Sequence, residues 1–83
     1  MVATGYERAI RKAKEIRLDR KKIYGDSWQE MEDWELLAFI RQKTNRLKTF
    51  IIDKQENDEK RLDTAIDLVN YSLFMLEKEL NRM

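Results

Sequence analysis

The sequence predicts an all-α protein, a three-helix protomer that assembles into a helical-bundle homodimer. Three observations carry that expectation. The 83 residues include no Pro and only two Gly, Gly5 and Gly25, so little interrupts a helix. Apolar residues recur three and four apart in three successive stretches, which is the period of one helix face. The last stretch carries more apolar surface than two sibling helices would cover, and a partner subunit is the plain way to bury the rest.

The first helix is predicted from about Gly5 to Lys22. Tyr6, Ala9, Ile10, Ala13 and Ile16 share one of its faces, with Arg and Lys on the others. Tyr24-Gly25-Asp26-Ser27 is the one strong breaker. Gly25 can adopt the left-handed conformation past a helix end, and Asp26 or Ser27 can cap the next helix. Ser27 and Glu30 also have the spacing of a capping box. The second helix is expected to begin near Asp26 or Met31 and to run to about Asp53. Its core stripe reads Trp34, Leu37, Ile40, Thr44, Leu47 and Ile51, and beside it run Leu36, Phe39, Lys43, Arg46 and Phe50. Gln55-Glu56-Asn57-Asp58 is a polar break, with Asn57 or Asp58 as the cap of the third helix. That helix reaches about Arg82, with a seam of Leu62, Ile66, Val69, Leu73, Leu76 and Leu80. Ala65, Leu68, Tyr71, Phe74 and Met75 widen the seam. With no repeat and no linker, residues 1–83 read as a single helical domain.

A chain this short buries roughly 64% of the surface its unfolded form exposes, so a lone protomer is marginal. Lack of Cys removes disulfides, thiolate zinc sites and thiol catalysis. Lack of His removes serine triads and imidazole ligands, so any metal would be a hard cation on carboxylates. Oligomerisation is the remaining support. No 18-residue apolar run and no signal-peptide pattern occur, and the expectation is a cytoplasmic protein away from the membrane. The net charge of +1 argues against a dedicated nucleic-acid binder. Helix one does carry a basic strip (Arg8, Arg11, Lys12, Lys14, Arg17, Arg20, Lys21 and Lys22), whose ordinary reading is a solvated face.

One constellation has the makings of a site. Glu59, Asp63 and Asp67 are four apart, Asn70 follows three later, and all four share one helix face. Like charges one turn apart repel, so the row needs a cation. Mg²⁺ is one candidate. The other is Lys43 and Arg46, set among Leu36, Phe39 and Phe50 on helix two, which would make the row a structural ion-pair network. Glu32 and Glu35, with Glu30 and Asp33 nearby, form a second acidic group. They suit a two-helix Mg²⁺ site or simply the dipole of a first helical turn. Tyr24 and Trp28 flank the Gly turn and either stack on a base beside phosphate-binding N–H groups or staple the helix junction.

The segments KKIYGDSW (Lys21 to Trp28), IRQKTNRL (Ile40 to Leu47) and EKRLDTAIDLVNYSLF (Glu59 to Phe74) resemble, in order and spacing, the nucleotide-modification-associated domain of phages and prokaryotes. The resemblance spans roughly residues 17 to 78. Its pattern falls on Tyr24, Gly25, Asp26, Trp28, Lys43, Arg46, Glu59, Asp63, Asp67 and Asn70. It implies a role in nucleotide or modified-base metabolism and a distant kinship to the MazG-like nucleotide pyrophosphohydrolases. On that implication Glu59, Asp63 and Asp67 would hold Mg²⁺, and Lys43 and Arg46 would contact phosphates. Tyr24, Gly25, Asp26, Trp28 and Asn70 would complete the nucleotide site, with Glu35 as general base. The chain departs from the MazG-like pattern where Glu-x-x-Asp is expected and Glu59-x-x-x-Asp63-x-x-x-Asp67 stands. The competing expectation is a non-enzymatic dimerisation or interaction module whose carboxylates form structural salt bridges. A DNA-binding accessory resting on helix one ranks third.

Overall fold

The computed structural model describes residues 4–25, 27–53 and 58–83. Asp26 and the predicted break at Gln55, Glu56 and Asn57 lie outside the described residues, as do the side chains of Tyr24 and Asp58. Helix α1 spans Gly5–Tyr24. The Thr4 hydroxyl starts it by accepting from the Glu7 N–H at 3.1 Å, and Lys21 and Lys22 suit the negative end of its dipole. It stops at Gly25, whose φ of 62° an L side chain rarely adopts and whose N–H donates to the Lys21 carbonyl at 2.9 Å.

A single 3₁₀ turn over Ser27–Glu30 follows, and α2 spans Asp33–Ile52. The capping box expected at Ser27 and Glu30 is displaced. Those residues lie inside the 3₁₀ turn, which the Met31 N–H closes on the Trp28 carbonyl at 3.2 Å. The cap therefore moves to Glu32, whose N–H donates to the Glu35 carboxylate at 3.0 Å. Helix α3 runs Asp58–Asn81. All regular structure among the described residues is helical, and no helix there is long and apolar enough to cross a membrane.

The three helices share a core centred on α3, which packs along α2 far more extensively than against α1. Leu36, Ala13 and Ile66 are the buried apolar side chains, and Thr64, Asp67 and Asn70 are buried beside them. The Thr64 hydroxyl is satisfied within its own helix, donating to the Lys60 carbonyl at 2.7 Å. The rotation of α2 differs from the predicted one. Trp34, Leu37 and Ile51 of the expected core stripe are exposed, and Leu36, Lys43 and Phe50 of the neighbouring stripe turn inward with Ile40 and Leu47. The inward face sets Lys43 against buried Asp67 at 3.1 Å, which offsets the cost of burying that carboxylate, and it also buries Leu36 completely. At the far end Asp33 ties the start of α2 to the end of α3, through Lys78 at 3.1 Å and through Arg82. Those two cations hold the Asp33 carboxyl below its usual pKa, chiefly by hydrogen bonding from Arg82.

The protomer is open. Its radius of gyration is 14.0 Å, where a compact domain of this length has about 12 Å. It exposes 6854 Å², against about 5,300 Å² for a compact monomer of its mass.

Candidate functional site

Helices α1 and α2 leave a cavity of about 900 Å³ between them, reached by residues of all three helices and the 3₁₀ turn. Asp67 sits at its centre because position 67 lies on the α3 face turned toward both neighbours. Its carboxylate takes Lys43 of α2 at 3.1 Å on Oδ2 and Arg20 of α1 on Oδ1. Lys43 keeps only 13% of its side chain exposed and Asp67 11%, so the pair is largely desolvated; Arg20 remains half exposed. Lys14, Arg17 and Lys21 line the same cavity from α1. Five cations thus line the cavity, two of them paired with Asp67 and a third, Arg17, with Glu77.

One turn along α3, buried Asn70 donates from Nδ2 to the Ala13 carbonyl at 3.1 Å and fixes α1 against α3. Its Oδ1 has no donor among the described residues. A buried amide oxygen in that state is an acceptor with unused capacity.

Aromatic rings form the rest of the lining. Trp28 stacks on Phe74 with centroids 4.5 Å apart, Phe74 meets Tyr71 edge-on at 6.0 Å, and Tyr71 stacks on Phe39 at 5.0 Å. This four-ring ladder joins the 3₁₀ turn to α2 across α3. The Arg17 guanidinium lies 4.8 Å from the Phe74 centroid and 5.5 Å from that of Trp28, and pairs with Glu77 at 3.0 Å. Burial raises the pKa of the Tyr71 hydroxyl, the Asp67 charge adds to the rise, and Arg20 partly opposes it.

Of the residues expected from the sequence, Gly25, Trp28, Lys43, Asp67 and Asn70 come together around this cavity. The rest do not. Arg46 is exposed on a shallow outer surface of α2 with Trp34 and Leu37, because the rotation that buries Lys43 carries Arg46 away. Glu59 and Asp63 are exposed, and no group of three carboxylates within reach of one metal ion exists among the described residues. Both Asp67 oxygens already face cations. Placed so, these side chains do not fit a resident Mg²⁺. Glu35 is engaged in the α2 cap and does not line the cavity. Tyr24 ends α1 with its side chain outside the described residues, as is all of Asp26.

Arg17, Arg20, Phe39, Tyr71 and Phe74 belong to the site as well. A signal for the two arginines exists in the sequence, since they follow Ala13 by four and seven residues and so continue the buried face of α1.

Comparison with curated proteins and with solved structures finds no match. A family model described as nucleotide modification associated domain 1 matches residues 20–78. That stretch holds Arg20, Trp28, Lys43, Asp67 and Asn70 and covers well over half of the sequence. The chain therefore belongs to the nucleotide modification associated domain 1 family.

Proposed function

We propose that the cavity binds a nucleotide, with the phosphates among Arg20, Lys43 and the α1 cations and the base against the aromatic ladder. The observation that carries this reading is one cavity lined both by cations from two helices, Arg20 and Lys43 meeting on Asp67, and by stacked rings. Such pairing of a basic channel with aromatic faces suits a phosphorylated heteroaromatic ligand, where stacking alone is worth about 1–3 kcal/mol per base. Phe39 ends the ladder and is still 38% exposed, which makes it the ring for a base to cover. Membership of the family adds the nucleotide context. The reading is one of binding. Hydrolysis with Glu35 as base and Mg²⁺ on Glu59, Asp63 and Asp67 draws no support from where those side chains sit.

A thermal-shift panel of each nucleotide, the matching nucleosides and inorganic pyrophosphate tests it. A ligand at 100 times its Kd adds about 2.7 kcal/mol, several degrees for a domain this small. Nucleotides are expected to raise Tm without a divalent ion. Phe39→Ala should erase the advantage of nucleotide over pyrophosphate, and Lys14→Gln should weaken both. A shift that appears only with Mg²⁺ and vanishes in Asp63→Asn would instead point to the carboxylate row. A flat panel overturns the binding reading. The 3.1 Å Lys43–Asp67 pair then favours the second reading, a helical interaction module in which Asp67 is a structural tie.

A further inference from the structure

Helix α1 is held in place chiefly by polar groups. Ala13 is its one buried side chain among the described residues, while Tyr6, Ile10, Leu18 and Ile23 stand exposed. It packs on α3 and barely meets α2. What keeps it there is the Asn70 amide on the Ala13 carbonyl at 3.1 Å, Arg17 on Glu77 at 3.0 Å, and Arg20 on Asp67. With so little apolar area buried, the docking of α1 answers to charge.

The groove sets charge against closure. Lys14 lines it from α1 and Lys43 from α2, and Asp67 is the one carboxylate among its lining residues. That carboxylate is already shared by Lys43 and Arg20, and Lys14 has no carboxylate partner among the described residues. Cations on facing walls repel, so they push α1 away from α2. An anion lying between them attracts both walls and reverses the sign of that force. The junction leaves room to move, since α1 ends at Gly25 with a φ of 62° and no atom within 4 Å of where a Cβ would stand.

We infer that α1 is an anion-operated clamp. An anionic ligand in the groove draws α1 onto α2 and α3, and without one α1 opens as a unit. The inference deepens the nucleotide reading, on which it rests for the identity of the anion, and it assigns closure to the phosphates rather than to the base.

Hydrogen exchange of the whole chain tests it, with three probes: inorganic pyrophosphate, the common ribo- and deoxyribonucleoside triphosphates as a mixture, and the matching nucleosides. A ligand that needs both walls penalises every opening that parts them. At 100 times its Kd it should slow the α1 amides by about a hundredfold, the same factor as in α2 and α3. Nucleosides should leave the α1 amides unchanged. Slowing confined to α2 and α3 would place the anion on those helices alone and overturn the clamp. A ligand-free arm separates the clamp from the nucleotide reading. Lys14→Glu puts a resident carboxylate opposite Lys43 and should slow the α1 amides at least about fivefold with nothing bound. Arg11→Glu makes the same charge change on α1 away from the groove and should not. Both side chains are exposed, so neither change disturbs the core. Equal exchange in the two variants overturns the clamp. No slowing by any probe, with Lys14→Glu still closing α1, sinks the nucleotide reading and leaves the clamp standing.

Discussion

Asp67 is the residue on which the most depends. It is buried, it answers a nearly buried Lys43 and a half-exposed Arg20, and it joins both outer helices to the central one. Removing one partner of such a pair leaves an uncompensated charge, at a cost of about 3–5 kcal/mol, which is most of what a domain this small possesses. Asp67→Asn is therefore expected to lower stability by about 3 kcal/mol in chemical denaturation. Adding Lys43→Met should recover at least half of that, because the orphaned ammonium goes with it. If Asp67→Asn alone proves neutral or stabilising, the carboxylate is strained for a task rather than needed for the fold. Asp67 and Lys43 are legible as partners of an ion pair, since Lys43 stands within an apolar stripe of helix two and Asp67 flanks the seam of helix three. The sequence does not single out Arg20, which is one of eight basic residues before Gly25 and differs from the others only in its distance from Ala13.

At the scale of elements, the end of α1 was legible, whereas the start of α2, displaced to Asp33 by the 3₁₀ turn, and its rotation were not. Gly25 closes α1 for a reason local to the chain, the positive φ that glycine tolerates. The stripe of α2 that faces inward meets Asp67 through Lys43, some two dozen residues apart in sequence, and a contact so distant leaves no local signal. A stripe holding Lys43 and Arg46 reads as less apolar than one holding Trp34, Leu37 and Ile51, so periodicity favoured the wrong face. The tie at the other end of the pair makes a pH-dependent prediction. Asp33 is held below its ordinary pKa of 3.8 in the folded chain, first by the hydrogen bond from Arg82 and then by that from Lys78. A depressed carboxyl stabilises the fold above its unfolded pKa, and the contribution disappears as pH falls through the folded value. Wild type should thus melt higher than Asp33→Asn at neutral pH, with the two curves converging below the ordinary carboxylate range. A gap that persists undiminished in acid would mean that the stabilisation comes from packing rather than from charge.

The whole molecule is three helices held unequally. The contact between α2 and α3 is extensive, whereas α1 rests on α3 through Ala13, the Asn70 bond to its carbonyl, and the ion pairs of Arg17 and Arg20. Sections with few buried apolar contacts open first. Native-state hydrogen exchange should accordingly show α1 amides opening at lower free energy than the central turns of α2 and α3. Equal protection in all three helices would mean that the polar contacts bind α1 as firmly as apolar packing binds α2. The fold class followed from composition and period, because helix formation is largely a local matter. The groove did not, because it is a space left between α1 and α2, and no single segment encodes it. Its two central cations carry one further consequence. Long basic side chains ordinarily surrender about 0.5–1.5 kcal/mol of rotamer freedom each when a ligand immobilises them. In this chain folding has already fixed Arg20 and Lys43 on a common carboxylate, so an arriving anion meets heads whose freedom was lost before it came.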